Sequence, residues 1–182
     1  DTSDIAITID KRNTDLYSKI AKEYTSLKKF ELAVDYYEKK ISLNKAIFND
    51  YYELGKAYLN LKEYDKADTC FGTAVIQKPD HINAVMYRAQ GRSIVDSTSE
   101  KGLAKPYYEK LLALSLADSA KFSKYISISY DYLRFYFYKQ YLINKKCADL
   151  KNCVVYCDKL LVIEPKNEAA IESKKALVGK CP

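Results

Sequence analysis

The side chains best able to carry acid–base or covalent chemistry are few: one histidine and five cysteines. A histidine titrates near neutral pH, and a thiolate attacks electrophiles or binds soft metals. His81 follows Pro79 at the start of a helical stretch and reads as a surface-loop residue. With no second histidine, neither a Ser/His/Asp nor a Cys/His arrangement can be assembled. The five glycines are scattered singly, so no phosphate-cradling loop is present. Cys153 and Cys157 lie four apart on one helix face, with Cys147 in the loop before them. Metal sites use such spacing, but the paired two-residue spacing and a nearby histidine are missing. Core packing is the favoured reading of this pair, with a disulfide containing Cys147 or a metal site as the other two. Cys147 and Cys181 are free to pair in an oxidising compartment, and the redox compartment stays open. The chain is expected to be no enzyme and to need no cofactor and no metal.

The 18 tyrosines suggest a second chemistry, stacking on bases, through Tyr36-Tyr37, Tyr51-Tyr52 and Tyr107-Tyr108. One member of each pair is already needed for helix packing, so structural use is favoured. The net charge is +6, and +4 of it falls from Lys139 onward, yet no like-charge run exceeds two residues. A nucleic-acid footprint is more clustered than this, so nucleic acid is an unfavoured partner. No stretch approaches the roughly 20 apolar residues that span a bilayer.

The elements that would position these side chains emerge from an internal repeat. Ala6-Ile-Thr-Ile-Asp-Lys11, Lys40-Ile-Ser-Leu-Asn-Lys45, Ala74-Val-Ile-Gln-Lys-Pro79, Leu111-Leu-Ala-Leu-Ser-Leu116 and Leu160-Leu-Val-Ile-Glu-Pro165 recur at intervals of 34, 34, 37 and 49 residues. Between them, apolar residues step by three and four, as on one stripe of a helix: Tyr51, Leu54, Gly55 and Tyr58, then Ala67, Phe71 and Ala74. Lys62-Glu63 separates the two sets as a short polar connection suited to an antiparallel helix pair.

Tyr51-x2-Leu54-Gly55-x2-Tyr58, Ala67-x3-Phe71 and Pro79 resemble the tetratricopeptide repeat signature, with Tyr51 in place of tryptophan. Gly55 and Ala67 are small where two helices cross, and Tyr58 and Phe71 fill the space beside them. The resemblance implies an all-α, right-handed superhelical solenoid of antiparallel helix pairs. Residues 1–13 read as the tail of a preceding repeat whose beginning is missing. Repeats follow at 14–47, 48–81, 82–118 and 119–166, then a capping helix at 167–182. The third repeat has Arg88 and Arg92 in apolar places and Pro106 opening its second helix. The fourth has Arg134 where a small residue is expected and about 15 extra residues in its first helix, its loop or both. Asn167 and Gly179 suit the two ends of the capping helix. Gly102-Leu-Ala-Lys-Pro-Tyr-Tyr-Glu-Lys-Leu111 also resembles repeats of long tetratricopeptide proteins from Bacteroidota cell envelopes, which leans the localisation toward export.

In tetratricopeptide stacks the first helix of each pair lines the concave face, where ligands bind. The resemblance therefore implies a partner-binding face of Lys22, Tyr52, Lys56, Asn83, Met86, Gln90, Asp131, Phe135 and Tyr138. The family's two-carboxylate clamp is matched in residue type only by Lys22, Lys56 and Asn83, while Tyr52, Met86 and Tyr87 depart from it. The expected function is a non-catalytic scaffold that holds a protein or peptide in this groove. The alternative is structural self-association, end to end or dimeric, through Ile7 and Ile9 at the N-terminal end, with RNA binding a distant third.

Overall fold

The computed structural model describes residues 14–43 and 45–181, so the tail expected at 1–13, with Ile7 and Ile9, lies outside the described residues. Among the described residues there are nine helices and no strand: α1 (Asp15–Ser26), α2 (Phe30–Ser42), α3 (Phe48–Asn60), α4 (Tyr64–Gln77), α5 (Ile82–Val95), α6 (Lys105–Leu116), α7 (Ser123–Asn144), α8 (Cys147–Ile163) and α9 (Glu168–Leu177). The chain forms two compact units, Asp1–Gly91 and Arg92–Pro182.

In the first unit α1 packs on α2, α3 on α4, and α2 on α3. The core gathers the small and aromatic residues of the repeat, including Ala21, Ala33, Tyr37, Leu54, Ala67 and Phe71. Gly55 is small for a measurable reason. A Cβ there would come within 2.9 Å of the Phe71 ring, which is fully buried and cannot swing away. The turns between partner helices are built alike. In the first, the Lys29 N–H reaches the Tyr24 carbonyl and the Lys28 N–H the Thr25 carbonyl; in the second, Glu63 reaches Tyr58 and Lys62 reaches Leu59. These are Schellman closures whose left-handed position normally belongs to glycine. Lys28 and Lys62 occupy it at φ 57° and 62°.

One core feature is polar. Lys40 and Asp50 are each only 2% exposed. The Lys40 ammonium lies 2.9 Å from Asp50 Oδ2 and donates to Ser18 Oγ at 2.8 Å, while Ser18 donates to Asp50 Oδ1 at 2.6 Å. Asp50 also accepts the Ile47 N–H at 2.9 Å, which closes the first turn of α3. Burial alone would raise the Asp50 pKa. The Ile47, Ser18 and Lys40 hydrogen bonds together hold it below the ordinary carboxylate value.

In the second unit α7 packs against α6 and α8, and α9 lies on α8 and α7. The core includes Ile126, Leu150, Cys153, Cys157, Leu160, Ala170 and Leu177. The extra length expected within residues 119–166 goes into helix: α7 has 22 residues and α8 has 17. Only Lys145 and Lys146 connect them, so Cys147 is the first residue of α8 rather than part of a loop. Pro106 stands in the first turn of α6, where a missing N–H costs nothing. Ahead of it, Asp96 ties the turn by accepting the Lys101 and Leu103 N–H groups. Asn167 caps α9 by accepting the Ala170 N–H at 3.0 Å, and Gly179 follows at φ 69°.

Cys153 and Cys157 are buried free thiols, and Cys147 pairs with Cys181 in a disulfide. Hydrogen bonding to Cys157, then burial, pushes the Cys153 thiol well up.

Candidate functional site

Of the nine candidate residues, six belong to the first unit and three to the second. In the first unit Tyr52 and Lys56 come together on one face of α3. The Lys56 ammonium lies 5.4 Å from the Tyr52 ring centroid and 2.8 Å from Glu53 Oε2. Tyr52 is wedged among neighbours, with Phe48, Phe71, His81 and Tyr87 at 5.7, 6.0, 5.2 and 5.9 Å between ring centroids. It braces the wall more than it reaches outward. Lys56, Leu59, Asn60 and Tyr87 line a small cleft of about 170 Å³. Asn83, Met86 and Gln90 are half-buried on α5 and do not line it; Lys22 is exposed on α1.

His81 is half-buried, not a loop residue in solvent. Its Nδ1 accepts the Ala84 N–H at 3.3 Å and its ring packs on Phe48 at 4.6 Å, so it caps α5. Burial first, and then the Lys78 charge, lowers its pKa. A larger hollow of about 470 Å³ opens over α2, α3 and α4, with Ile41, Tyr51, Leu54, Tyr58 and Cys70 in its walls. It contains none of the candidate residues. Burial raises the Cys70 thiol to about 12, so it stays protonated.

The second unit holds a cleft of about 430 Å³. Helix α7 supplies most of it: Ser127, Ile128, Asp131, Tyr132, Arg134 and Phe135 lie within little more than two turns. Ser93 and Tyr108 close one side, Glu164 and Asn167 the other. Arg134 Nε and Nη2 both donate to Asp131 Oδ1, at 3.1 and 2.7 Å, and Nη1 donates to Ser173 Oγ at 2.8 Å. The arginine side chain is 8% exposed and that of Asp131 50%, so the cation lies in the floor and the carboxylate at the surface. Ser127 donates to Glu164 Oε1, and the Asn167 amide donates to Oε2 at 2.8 Å. Those two bonds, Ser127 first, hold the Glu164 carboxyl below its usual pKa.

The cleft thus offers two carboxylates over one buried guanidinium, flanked by Ile128 and the half-buried Phe135. Such a surface favours N–H donors and cations beside an apolar anchor. Tyr138 is not part of it and packs against the Cys153–Cys157 core. Ser93, Ser127, Glu164 and Asn167 were not foreseen as site residues. Arg134, a guanidinium in a place built for glycine or alanine, signals only its own acceptors, Asp131 and Ser173, and nothing in the repeat pattern marks the other four. Among the described residues no three His, Cys, Asp or Glu side chains converge on a point. No helix there is long and apolar enough to cross a membrane.

Models of the tetratricopeptide repeat match residues 14–47 and 48–81. No curated protein matches the chain. Among solved structures, the C-terminal part of a TPR repeat-containing protein from Cytophaga hutchinsonii is 30% identical, with a TM-score of 0.76. That match covers 94% of this chain and 64% of the other, so the chain spans under two thirds of its relative. A TPR repeats protein from Bacteroides fragilis has the same fold at 14% identity and a TM-score of 0.59, over 96% of this chain and 87% of its own. YrrB, a TPR protein with an unusual peptide-binding site, matches at 19% identity and a TM-score of 0.54, over 96% and 98% of the two chains. Repeats of this type are protein–protein interaction modules and generally non-catalytic. The two matched repeats and the likeness to the Cytophaga protein show that this chain carries tetratricopeptide repeats at residues 14–81 within an all-α, tetratricopeptide-like fold.

Proposed function

We propose that this scaffold binds an extended polypeptide, anchored in the α7 cleft of the second unit. The observation that carries the reading is the make-up of that cleft, in which Phe135 and Ile128 can take an apolar side chain while Asp131 and Glu164 accept N–H donors around it. Protein interfaces concentrate their affinity in a few such anchors ringed by polar groups. In the first unit the cleft at Lys56 is smaller. Its lysine is already engaged by Glu53, which does not suit a phosphate track. The peptide-binding site of YrrB on a similar fold is consistent with this reading without locating the site here.

The test places a photo-crosslinking residue at position 135 and, separately, at Val162, which is 83% exposed on α8 of the same unit. The expected result is a polypeptide adduct from 135 that is absent from 162. Asp131→Ala plus Phe135→Ala should weaken the captured partner by on the order of tenfold or more. Adducts to a second copy of the chain would favour self-association. Tight RNA binding near physiological salt, lost on Lys56→Glu, would overturn the polypeptide reading.

A further inference from the structure

We propose that the Cys147–Cys181 disulfide is a lock on the capping helix, so that breaking this one bond lets α9 lift off α7 and α8 while the core of the first unit stays closed. The two cysteines are 34 residues apart, one opening α8 and the other four residues beyond the end of α9. The bond therefore clasps both open ends of the α8–α9 pair.

The remaining hold on α9 is slight. At 10 residues it is too short to persist alone. It buries Ala170, Ser173 and Leu177. Ser173 accepts one bond from Arg134, and Asn167 caps the first turn. The Lys174–Asp158 pair is largely exposed and contributes little. The Tyr141 hydroxyl reaches the Lys180 carbonyl only at 3.5 Å, the outer limit of a hydrogen bond. Beneath the helix lie Cys153, Cys157 and Leu160, all fully buried.

Opening also reaches the cleft, because Asn167 belongs to its wall and holds Glu164, and because Ser173 holds Arg134. The lock thus regulates the site proposed above, but it stands or fails without any partner. In the redox step a dithiol supplies two electrons. The Cys147–Cys181 bond breaks to two thiols, which keep two protons, and the dithiol closes to its own cyclic disulfide. The lock stays shut where the surroundings are oxidising.

Three buried thiols report on the opening: Cys153 and Cys157 under α9, and Cys70 in the core of the other unit. The oxidised full chain, the Cys147→Ser/Cys181→Ser variant, and wild type reduced with dithiothreitol and freed of it without air are each alkylated with iodoacetamide. Peptide mass spectrometry then gives a rate for each cysteine. Loss of a closure over 34 residues should speed labelling of Cys153 and Cys157 by on the order of a hundredfold, with Cys70 unchanged. Unchanged rates at Cys153 and Cys157 would overturn the lock. So would a joint rise at all three thiols, because the disulfide would then be supporting the whole chain.

Discussion

Lys40→Met removes the cation from a buried pair and leaves the Asp50 carboxylate, 2% exposed, with only the Ser18 hydroxyl and the Ile47 N–H for company. Breaking a buried pair from one side costs about 3–5 kcal/mol, because the remaining charge is stranded. For a chain of this length that lowers Tm by about 6–20 °C. The pH dependence separates a stranded charge from simple loss of packing. In the wild type the depressed Asp50 pKa contributes stability that is present above the ordinary carboxylate range and is lost as pH falls through the folded value. In the variant the Lys40 contributions are gone and burial still raises the pKa, so protonation relieves the strain. The deficit against wild type should shrink between pH 7 and pH 5. Thermal melts followed by circular dichroism at both pH values measure it. A deficit under about 1 kcal/mol at pH 7, or one of equal size at both pH values, would refute the reasoning.

Two further substitutions test the helix crossings and turns. Gly55→Leu forces a side chain into the Phe71 ring, whose atoms a single Cβ would already meet at 2.9 Å, and should cost at least the roughly 1–3 kcal/mol of core overpacking, read as a fall in Tm. Lys62→Gly should act the other way, raising Tm by about 1–3 °C, because glycine takes the φ of 62° without steric cost; a lowered Tm would show that the lysine side chain contributes more than the strain.

The parts of the fold legible in the sequence were those set by one steric rule. Small residues at Gly55 and Ala67 and rings at Tyr58 and Phe71 mark a helix crossing whatever surrounds them. Features that depend on a choice between equal lengths were not legible. The extra residues within 119–166 could have made a loop or more helix, and only packing along α7 and α8 decides for helix. Lys40 was visible but unread: it stands in the recurring tail where Ala74, Leu111 and Leu160 are fully buried, which is the mark of a buried cation with a partner. For the candidate face, helical periodicity selects a stripe without saying what a neighbour covers. Tyr52 shares its stripe with Lys56, yet four rings around it make it part of the wall. Asp131 and Phe135 share theirs with Tyr138, and the core around Cys157 claims only the last.

Arg134 explains why the repeat pattern breaks where it does. Leu133-Arg134 occupies the place of Leu54-Gly55, and Cys153 and Cys157 occupy the places of Ala67 and Phe71. In the second repeat the space at the crossing belongs to the Phe71 ring, so the opposing residue must be glycine. Between α7 and α8 a thiol, Cys157, stands in place of the ring, and the opposing residue is an arginine whose charge acts on that thiol. The two exchanges compensate in volume but not in chemistry, because the guanidinium needs acceptors that an aromatic ring does not. Asp131 is one turn away on its own helix, and Ser173 comes from α9. That second acceptor lies on the helix that closes the stack, so the substitution is tolerated here because a short polar helix follows. At Gly55, with the Phe71 ring in place, the same arginine would meet carbon where this one finds oxygen.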